Sequence, residues 1–524
     1  MTPGALQRAE RLAEQARLRD ALEVLGEERA ALGPEAALLA ARCRRDIPDP
    51  LGALALLRQA ATPAAAAATR HKALMQQGML LAGLGRDRGA ADAFHAALAI
   101  RPADRDAAFL RACALRRLGW ADLALAGLRA LPHPLPAWWR QQEQQAAASL
   151  AEARAEIRAG LAACRAGRAP AAEAAEALLA SGRLRALAWL LAEGATRDDW
   201  LAARLVERRC WPAAWHGAGE SFGSPDPWAL ASWRLQRGAV AEALATLAAA
   251  GPPETGPARL AEARLLVLAG RASELADRAA RRLAALPRRV DLARLLLSGL
   301  LLSGRLVALR AEDLPAGPAP EAVPLVQYWH DPDPPADVAA VMQSWVARHP
   351  RHPLRRFHRA SARAWLLGSR GPAVAEAFDA CPGPAAEADL LRLAVLAREG
   401  GIWADADEAC LRSMDGVLAA LPEGGLAAWY ADELPFYLHN SVLVARPGGG
   451  LAEAAFHAAC AALRARRPDR PFNIWQQTGP GLLTRIGVGE TAGLRVLSLS
   501  LVRHLTRGAH DLRYKFDAAS DWRS

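Results

Sequence analysis

The chain has 524 residues, of which 52% are hydrophobic and 23% are charged, and its formal net charge is +10. This length accommodates two to four domains, or one domain with a repeat array, and the composition excludes a disordered chain. All but two of the 65 cationic residues are arginines. Because they are dispersed along helix-like segments, they favour solvated helix faces over a nucleic-acid groove. Seven cysteines without a Cys-x-x-Cys pair argue against a disulfide framework and fit a reducing compartment.

Neither an export signal nor a membrane span is expected from the sequence. The first residues lack the basic stretch and apolar run of a signal peptide. The most apolar run, residues 295–302, is far shorter than the about 20 residues that a transmembrane helix needs. We therefore expect a cytoplasmic protein, either free or peripheral at the inner face of the membrane.

Residues 1–311 are predicted to form a helical repeat region. Their apolar positions recur three and four residues apart, between short Gly-Arg or Pro turns. Gly85 and Gly119 are 34 residues apart, and Gly270 and Gly304 show the same interval. A 34-residue period with a glycine between two helices resembles the tetratricopeptide repeat. The pattern predicts an α-helical solenoid, in which each helix pair buries its apolar face against its neighbours.

The predicted solenoid has two alternative roles. Stacked repeats present an extended concave surface, so we expect the array to bind an acceptor or a protein partner. The alternative is a structural spacer or a dimerisation element.

The composition changes after the repeats. Residues 312–322 are rich in Pro and Gly and are predicted to be a linker. From residue 323 onward, short β-like runs such as 441–445 and 494–499 alternate with helical patterns. This alternation predicts an α/β domain over residues 323–524, and we expect an enzyme's active site there.

A pair of acids follows a short predicted strand in this domain. Asp405 and Asp407 come directly after the apolar residues 402–404. Because alternate residues of an extended segment point the same way, both carboxylates can address one point. Two carboxylates at the carboxyl end of an α/β strand suit a hard divalent cation whose other ligands are water and a diphosphate. The alternative is two solvated acids in a loop, since Asp-x-Asp alone is a common tripeptide.

The residues before the acid pair favour the metal site. A predicted helix carries Asp389 and Arg392 on one face, three residues apart, and Gly400 and Gly401 end it. The order of helix, glycine pair, aromatic strand and acid pair resembles the signature of glycosyltransferases with a sugar-binding DXD region. These are the Och1-like and capsular-polysaccharide transferases of glycosyltransferase family 32, which are related to the large clostridial glucosylating toxins.

Weaker matches extend the resemblance over about residues 322–524. They lie at residues 326–329, 344–350, 439–448, 478–480 and 514–522. Two positions depart from the family pattern. Val326 stands where the family has a histidine in its first strand, and Asp521 stands where it has a histidine or serine near the end.

The resemblance implies a GT-A fold, a Rossmann-like sheet that binds a nucleotide-diphosphate sugar. Trp329 would stack on the nucleobase, and Asp389 and Arg392 would contact the donor sugar and the diphosphate. Gly401 would admit the donor close to the backbone, and Asn440 would line the acceptor side of the donor sugar. The alternatives are core packing for Trp329 and a strand-end turn for Asn440.

The resemblance also implies a divalent metal ion, Mn²⁺ or Mg²⁺. Asp407 would bind the metal directly, and Asp405 would contact the ribose and the metal shell. Asp521 is a candidate third metal ligand, and Trp522 would close over the leaving diphosphate. Asp405, Asp407 and Arg392 are the predicted catalytic residues.

These features predict a hexosyltransferase, a metal-dependent enzyme of polysaccharide biosynthesis. It would move a sugar from a UDP- or GDP-linked donor, with retention of configuration, to a glycan or protein acceptor held with the help of the repeats. The alternative function is a protein-interaction scaffold whose transferase domain is inactive.

Overall fold

The structure is a computed structural model. It describes residues 3–26, 32–118, 120–132, 139–151, 231, 234–236, 238–317, 321–431, 433–467 and 469–516. The chain divides into two compact units. A sheet unit comprises Met1–Ala31, Arg42–Asp49 and Ala272–Ser524. A helical unit comprises Leu32–Ala41 and Pro50–Arg271.

The helical unit is built from helices joined by short turns. Its named helices are Pro50–Ala60, Ala67–Gly83, Asp87–Ile100, Arg105–Arg117, Ala121–Arg129, Val240–Ala250 and Gly256–Leu268, and the helix Pro34–Asp46 contributes to both units. Residues 139–151 are helical as well. The prediction of a helical N-terminal region is thus confirmed for the residues that the structure describes, while the tetratricopeptide arrangement stays a prediction.

Close packing between successive helices explains several small residues of the helical unit. A Cβ added at Gly78 would lie 2.5 Å from the ring of Phe94, so the helices on either side of this contact need a glycine here. Gly85, in the turn that follows, has a φ of +74°, a left-handed conformation that favours glycine. Gly119, which the 34-residue interval pairs with Gly85, lies outside the described residues.

Among the described residues up to 311, four complete helices belong to the sheet unit. They are Pro3–Glu14, Leu18–Leu25, Ala272–Ala285 and Val290–Leu302. The backbone N–H of Phe436 donates to Oγ of Ser298 at 2.7 Å, and Nδ1 of His504 lies 3.0 Å from the carbonyl oxygen of Glu14. The two compact units therefore have other borders than the one predicted from the change in composition. The domain boundary at residues 312–322 stays a prediction.

A mixed six-stranded sheet forms the centre of the sheet unit. Its strands lie in the order β2-β1-β3-β6-β5-β7, and β6 runs antiparallel to both of its neighbours whereas the other pairs are parallel. The remaining strands, β4 and β8, form a separate antiparallel pair. The strands are β1 Leu325–Tyr328, β2 Leu354–Phe357, β3 Gly401–Ala404, β4 Glu408–Cys410, β5 Leu426–Ala431, β6 Tyr437–Ala445, β7 Leu494–Leu497 and β8 Thr506–Gly508. The predicted α/β character of the C-terminal region is confirmed as this mixed sheet.

Helices connect the strands and cover the sheet. They are Ala336–Arg348, Arg359–Arg370, Pro372–Asp379, Pro384–Glu399, Asp415–Ala419, Gly450–Arg464, Ile474–Gln477, Pro480–Gly487 and Leu499–Leu505, and two 3₁₀ turns lie at Ala311–Asp313 and Arg513–Phe516. The central strands β1 and β3 are buried along their whole length, as expected for strands covered on both faces. Trp345 is fully buried and donates its indole N–H to the carbonyl oxygen of Glu408. This contact holds β4 against the helix Ala336–Arg348.

The sheet has a topological switch point between β1 and β3. From β1 the chain passes to β2 on one side and then returns to β3 on the other, with both connections parallel. Crevices for ligands form at the carboxyl ends of strands at such a point. Trp329 directly follows β1 and Asp405 directly follows β3, so both residues lie at this edge.

Candidate active site

The acid pair is held between two parts of the sheet unit. The backbone N–H of Asp405 donates to the carbonyl oxygen of Ser441 in β6 at 2.8 Å. The carbonyl oxygen of Asp407 accepts from the backbone N–H of Ala509, just after β8, at 2.7 Å. The main chain around the two acids is therefore fixed on both sides, which gives their carboxylates a defined position.

Arg392 links the long helix Pro384–Glu399 to the acid pair. Its Nη2 lies 3.2 Å from Oδ1 of Asp389 and 3.2 Å from Oδ1 of Asp405. Its guanidinium lies over the indole of Trp403, 4.9 Å from the ring centroid, and Nη1 donates to the carbonyl oxygen of Asn440. A buried cation needs such compensation, because an unpaired buried charge is strongly destabilising. The structure thus brings three predicted site residues, Asp389, Arg392 and Asp405, into one network.

Asp389 is the acceptor at the centre of this network. Its Oδ1 accepts from Nδ2 of Asn440 at 2.8 Å, and its Oδ2 accepts from the hydroxyl of Thr478 at 3.0 Å. Burial raises the pKa of Asp389, while Arg392 and these two donors oppose the rise. Asn440 therefore orients the buried carboxylate of Asp389. It lies inside β6 and not in a turn at the end of the strand. The sequence does not predict Thr478 as a site residue, although residues 478–480 are one of the weaker matches to the family pattern.

Burial also acts on the acids that follow β3. It raises the pKa of Asp405 to about 6, with Asp407 adding to the rise and Arg392 opposing it. It raises the pKa of Glu408 to about 7, and Asp407 and Asp405 contribute through repulsion. Glu408 was not singled out from the sequence. Neighbouring carboxyl groups that oppose each other's ionisation create a place where a bound cation is favourable.

The C-terminal 3₁₀ turn meets the acid pair from the other side. Nζ of Lys515 lies 2.8 Å from Oδ2 of Asp407, and the hydroxyl of Tyr514 donates to the same oxygen at 3.4 Å. The ring of Tyr514 meets the ring of Trp329 edge-on, with 5.3 Å between centroids. The sequence does not predict Lys515 as a site residue. Its rarity could have drawn attention to it, because the chain contains only two lysines.

Trp329 carries an unsatisfied polar atom at this edge. Its indole Nε1 is buried and has no hydrogen-bond partner in the part of the chain that the structure describes. Leaving a buried donor unpaired costs free energy, so an acceptor from a ligand would stabilise it. Trp329 packs against a buried cluster that includes Met342, and it contacts Tyr514, whose hydroxyl reaches Asp407. Its unpaired N–H therefore lies on the side of the sheet unit that carries the acid pair.

His439 lies beside Asn440 on the opposite face of β6. Its ring stacks on Trp429 with 4.1 Å between centroids, and its Nδ1 accepts from the backbone N–H of Ser441 at 3.2 Å. Burial lowers the pKa of His439 to about 4, with Arg392 acting in the same direction. The imidazole is therefore neutral at physiological pH and carries its proton on Nε2.

Not all predicted site residues are brought to the acid pair. Gly401 begins β3 at the end opposite Asp405, about 13 Å away at the rise of an extended strand. Its φ is +132°, and an added Cβ would lie 2.6 Å from the carbonyl oxygen of Pro324, so close backbone packing explains this glycine. Asp521 and Trp522 lie outside the described residues.

The donor set of the acid pair fits a hard divalent cation. Carboxylate oxygens are the ligands that Mg²⁺ and Mn²⁺ prefer, and the ammonium of Lys515 shows that Asp407 holds a positive charge here. Among the residues described, no three or more His, Cys, Asp or Glu side chains are grouped so that they could hold a metal ion. Asp405 and Asp407 alone would leave coordination positions for water and a diphosphate.

A comparison with protein families gives the class of this site. Residues 335–422 match the family described as the glycosyltransferase sugar-binding region containing the DXD motif. The matched segment contains Asp389, Arg392, Asp405 and Asp407. The match supports a C-terminal glycosyltransferase, and hence an enzyme that transfers a sugar. A region of this kind generally implies a nucleotide-sugar donor and a divalent metal ion.

Among solved structures, similarity to a glycosyltransferase is found. The chain is similar to the PaToxG glycosyltransferase with 13% sequence identity and a TM-score of 0.28, over 43% of this chain and 81% of that chain. None of the curated proteins matches. Within the described ranges, no helix combines the length and the apolar character needed to cross a membrane.

Proposed function

We propose that this protein is a metal-dependent glycosyltransferase that moves a hexose from a UDP- or GDP-linked donor to a glycan or protein acceptor. The observation that carries the proposal is the buried network in which Arg392 contacts both Asp389 and Asp405 at the carboxyl end of β3. Because the network lies in the segment that matches the sugar-binding region, its residues are the best candidates for donor binding.

The donor's nucleobase is assigned to Trp329. This residue lies at the switch point next to β3, and its indole N–H has no partner among the described residues. A nucleobase carbonyl would satisfy the N–H, and aromatic rings provide stacking surface for bases. The diphosphate would then extend from Trp329 toward Asp407, with Asp521 and Trp522 as further proposed donor-site residues.

The chemical task of the site is to stabilise the departing nucleoside diphosphate. A divalent ion, Mn²⁺ or Mg²⁺, bound through Asp407 and Asp405 would act as a Lewis acid on this leaving group. Arg392 supplies a fixed positive charge beside the site, and its contacts to Asp389 and the Asn440 carbonyl keep it from reorganising as charge develops. Asp405 is oriented by the indole N–H of Trp403, which donates to its Oδ1 at 2.8 Å.

Transfer is proposed to occur with retention of configuration. In such a reaction the leaving diphosphate can accept the proton of the acceptor hydroxyl, so a side-chain general base is not needed. Asn440 would face the donor sugar from the acceptor side. In this assignment no side chain of the motif has to act as a general base, because the leaving diphosphate takes the proton.

The same proposal covers the architecture. We assign a family 32 transferase of GT-A type to residues 323–524, after a linker at 312–322, and tetratricopeptide-like repeats that bind an acceptor or a protein partner to 1–311. Ala90 and Ala124, which are 34 residues apart, are both fully buried, as expected for equivalent helix contacts. A cytoplasmic location and a role in polysaccharide biosynthesis complete the proposal.

The test is donor hydrolysis without an acceptor. Purified protein is incubated with Mn²⁺ and a panel of UDP- and GDP-sugars, and release of the nucleoside diphosphate is measured. Release from one donor is expected, and the double substitution Asp405→Asn/Asp407→Asn should abolish it. The chain offers a matched control in Asp331 and Asp333, a second Asp-x-Asp sequence whose side chains are exposed.

The control substitution Asp331→Asn/Asp333→Asn should leave the release unchanged, because it removes the same charges outside the network. Absence of release from every donor, together with absence of Mn²⁺-dependent binding of UDP and GDP, would contradict the proposal.

A further inference from the structure

The ammonium of Lys515 is held at two points, one on Asp407 and one on the backbone segment that is hydrogen-bonded to Asp407. Its Nζ lies 2.8 Å from Oδ2 of Asp407 and donates to the carbonyl oxygen of Ala509 at 2.6 Å. The N–H of the same Ala509 donates to the carbonyl oxygen of Asp407. The side chain of Lys515 is only 18% exposed. The ammonium is therefore a built part of the site and differs from a surface lysine that happens to be near an acid.

The turn that carries Lys515 has its own anchors. Leu512 is buried, and the backbone N–H of Arg513 donates to Oδ2 of Asp337 at 2.9 Å. The ring of Tyr514 packs edge-on against Trp329. Because these contacts do not involve the ammonium, the turn can stay in place when Lys515 leaves Asp407. The released ammonium then remains beside the acid pair.

A divalent ion and Lys515 compete for the same carboxylate. Oδ2 of Asp407 accepts from the ammonium at hydrogen-bond distance, whereas a directly coordinated Mg²⁺ lies about 2.1 Å from its oxygen ligands. Two cations at adjacent positions repel each other. Binding of a divalent ion to Asp407 therefore expels the ammonium, which needs a new anionic partner because it is mostly removed from water.

The charges around the motif indicate that partner. Before anything binds, Lys515 compensates the charge of Asp407, and Arg392 is shared between Asp389 and Asp405. A divalent ion adds two positive charges, and the diphosphate of a nucleotide sugar carries two negative ones. The net charge of the site is therefore kept only when the ion and the diphosphate bind together and Lys515 stays in the site.

We propose that Lys515 exchanges partners: it neutralises Asp407 in the donor-free protein and binds the donor's diphosphate once a divalent ion has taken its place. The exchange makes Lys515 a diphosphate-binding residue and couples the affinities for metal and nucleotide. This inference rests on the proposed function, because it assumes that Asp407 binds the metal of a nucleotide-sugar site.

The experiment measures two affinities separately. The affinity for Mn²⁺ without nucleotide is measured by electron paramagnetic resonance, and the affinity for UDP or GDP at saturating Mn²⁺ by calorimetry. The Lys515→Gln variant should bind Mn²⁺ about fivefold more tightly, because the internal competitor is gone. It should bind the nucleotide about tenfold more weakly, the size of one charge-assisted hydrogen bond.

Two further variants serve as controls. Arg513→Gln removes a positive charge from an exposed side chain of the same turn and should change neither affinity. Lys515→Arg keeps the charge and should restore nucleotide affinity to within about threefold of the wild type. Thermal unfolding of each variant checks that the turn and the sheet unit are intact.

Each outcome bears on a different statement. Weaker Mn²⁺ binding in Lys515→Gln would overturn the competition, and unchanged nucleotide affinity would overturn the role at the diphosphate. In both cases the wild type still binds Mn²⁺ and nucleotide, so the proposed function survives. A wild-type protein that binds neither would instead refute the proposed function itself.

Discussion

Substitution of Asp405 by asparagine should stabilise the metal-free protein while destroying its metal response. Burial raises the pKa of Asp405 from 3.8 to about 6, so its ionised form is disfavoured in the folded state. A rise of the pKa from 3.8 to about 6 corresponds to about 3 kcal/mol. The side chain is 27% exposed, and solvent screening reduces this figure to about 1.5 kcal/mol. Because the sheet unit comprises about 290 residues and its unfolding entropy is correspondingly large, Asp405→Asn should raise the melting temperature by about 2 to 3 °C at pH 8.

The sign of the pH dependence follows from the direction of the shift. Because the folded state holds the proton of Asp405 more tightly than the unfolded chain, this group favours folding below about pH 4. The contribution is lost as the pH rises through about 6. The melting temperatures of Asp405→Asn and the wild type should thus differ little at pH 4 and differ fully above pH 7. Circular dichroism melts in the presence of EDTA measure this difference.

The other acid of the pair provides the matched control. Asp407 is paired with Lys515 at 2.8 Å, so Asp407→Asn loses an ion pair worth up to about 1 kcal/mol. This loss offsets the relief of the repulsion that Asp407 exerts on Asp405 and Glu408, so no net gain in stability is expected. Added Mn²⁺ should raise the melting temperature of the wild type and of neither variant. A lower melting temperature for Asp405→Asn at pH 8, or a difference that does not change with pH, would refute the reasoning from burial.

Three further substitutions test the fold and the network. Gly401→Ala should lower the melting temperature more than Gly448→Ala, because both glycines have positive φ but only Gly401 lacks room for a Cβ; equal losses in thermal unfolding would contradict this. Asn440→Asp should cost about 2 to 4 kcal/mol at pH 8, because it replaces the amide donor to Asp389 by a carboxylate; denaturation at pH 8 and pH 5 should show a smaller loss at pH 5. Trp329→Ala should weaken UDP or GDP binding at least about tenfold by calorimetry, through lost stacking, and unchanged affinity would remove Trp329 from the donor site.

The parts of the site that the sequence determined are those that depend on neighbours along the chain. Asp389 and Arg392 share a helix face because they are three residues apart, and Asp405 and Asp407 follow a strand whose apolar residues mark it as buried. Such short spacings are governed by the periods of helix and strand, which are visible in a single sequence. The helical N-terminal region and the α/β character of the rest follow from the same periods.

The tertiary structure alone decided which distant residues complete the network. Thr478 reaches Asp389 across 89 positions, and Lys515 reaches Asp407 through a turn at the far end of the chain. It also decided that the first helix belongs to the sheet unit, and that the carbonyl oxygen of Pro324 leaves no room for a side chain at Gly401. These contacts form between residues that are far apart in the sequence, when the helices and strands pack on a common core. Such contacts close long loops and are not marked by any repeating pattern of residues. The sequence therefore determined the motif, and the fold determined its partners.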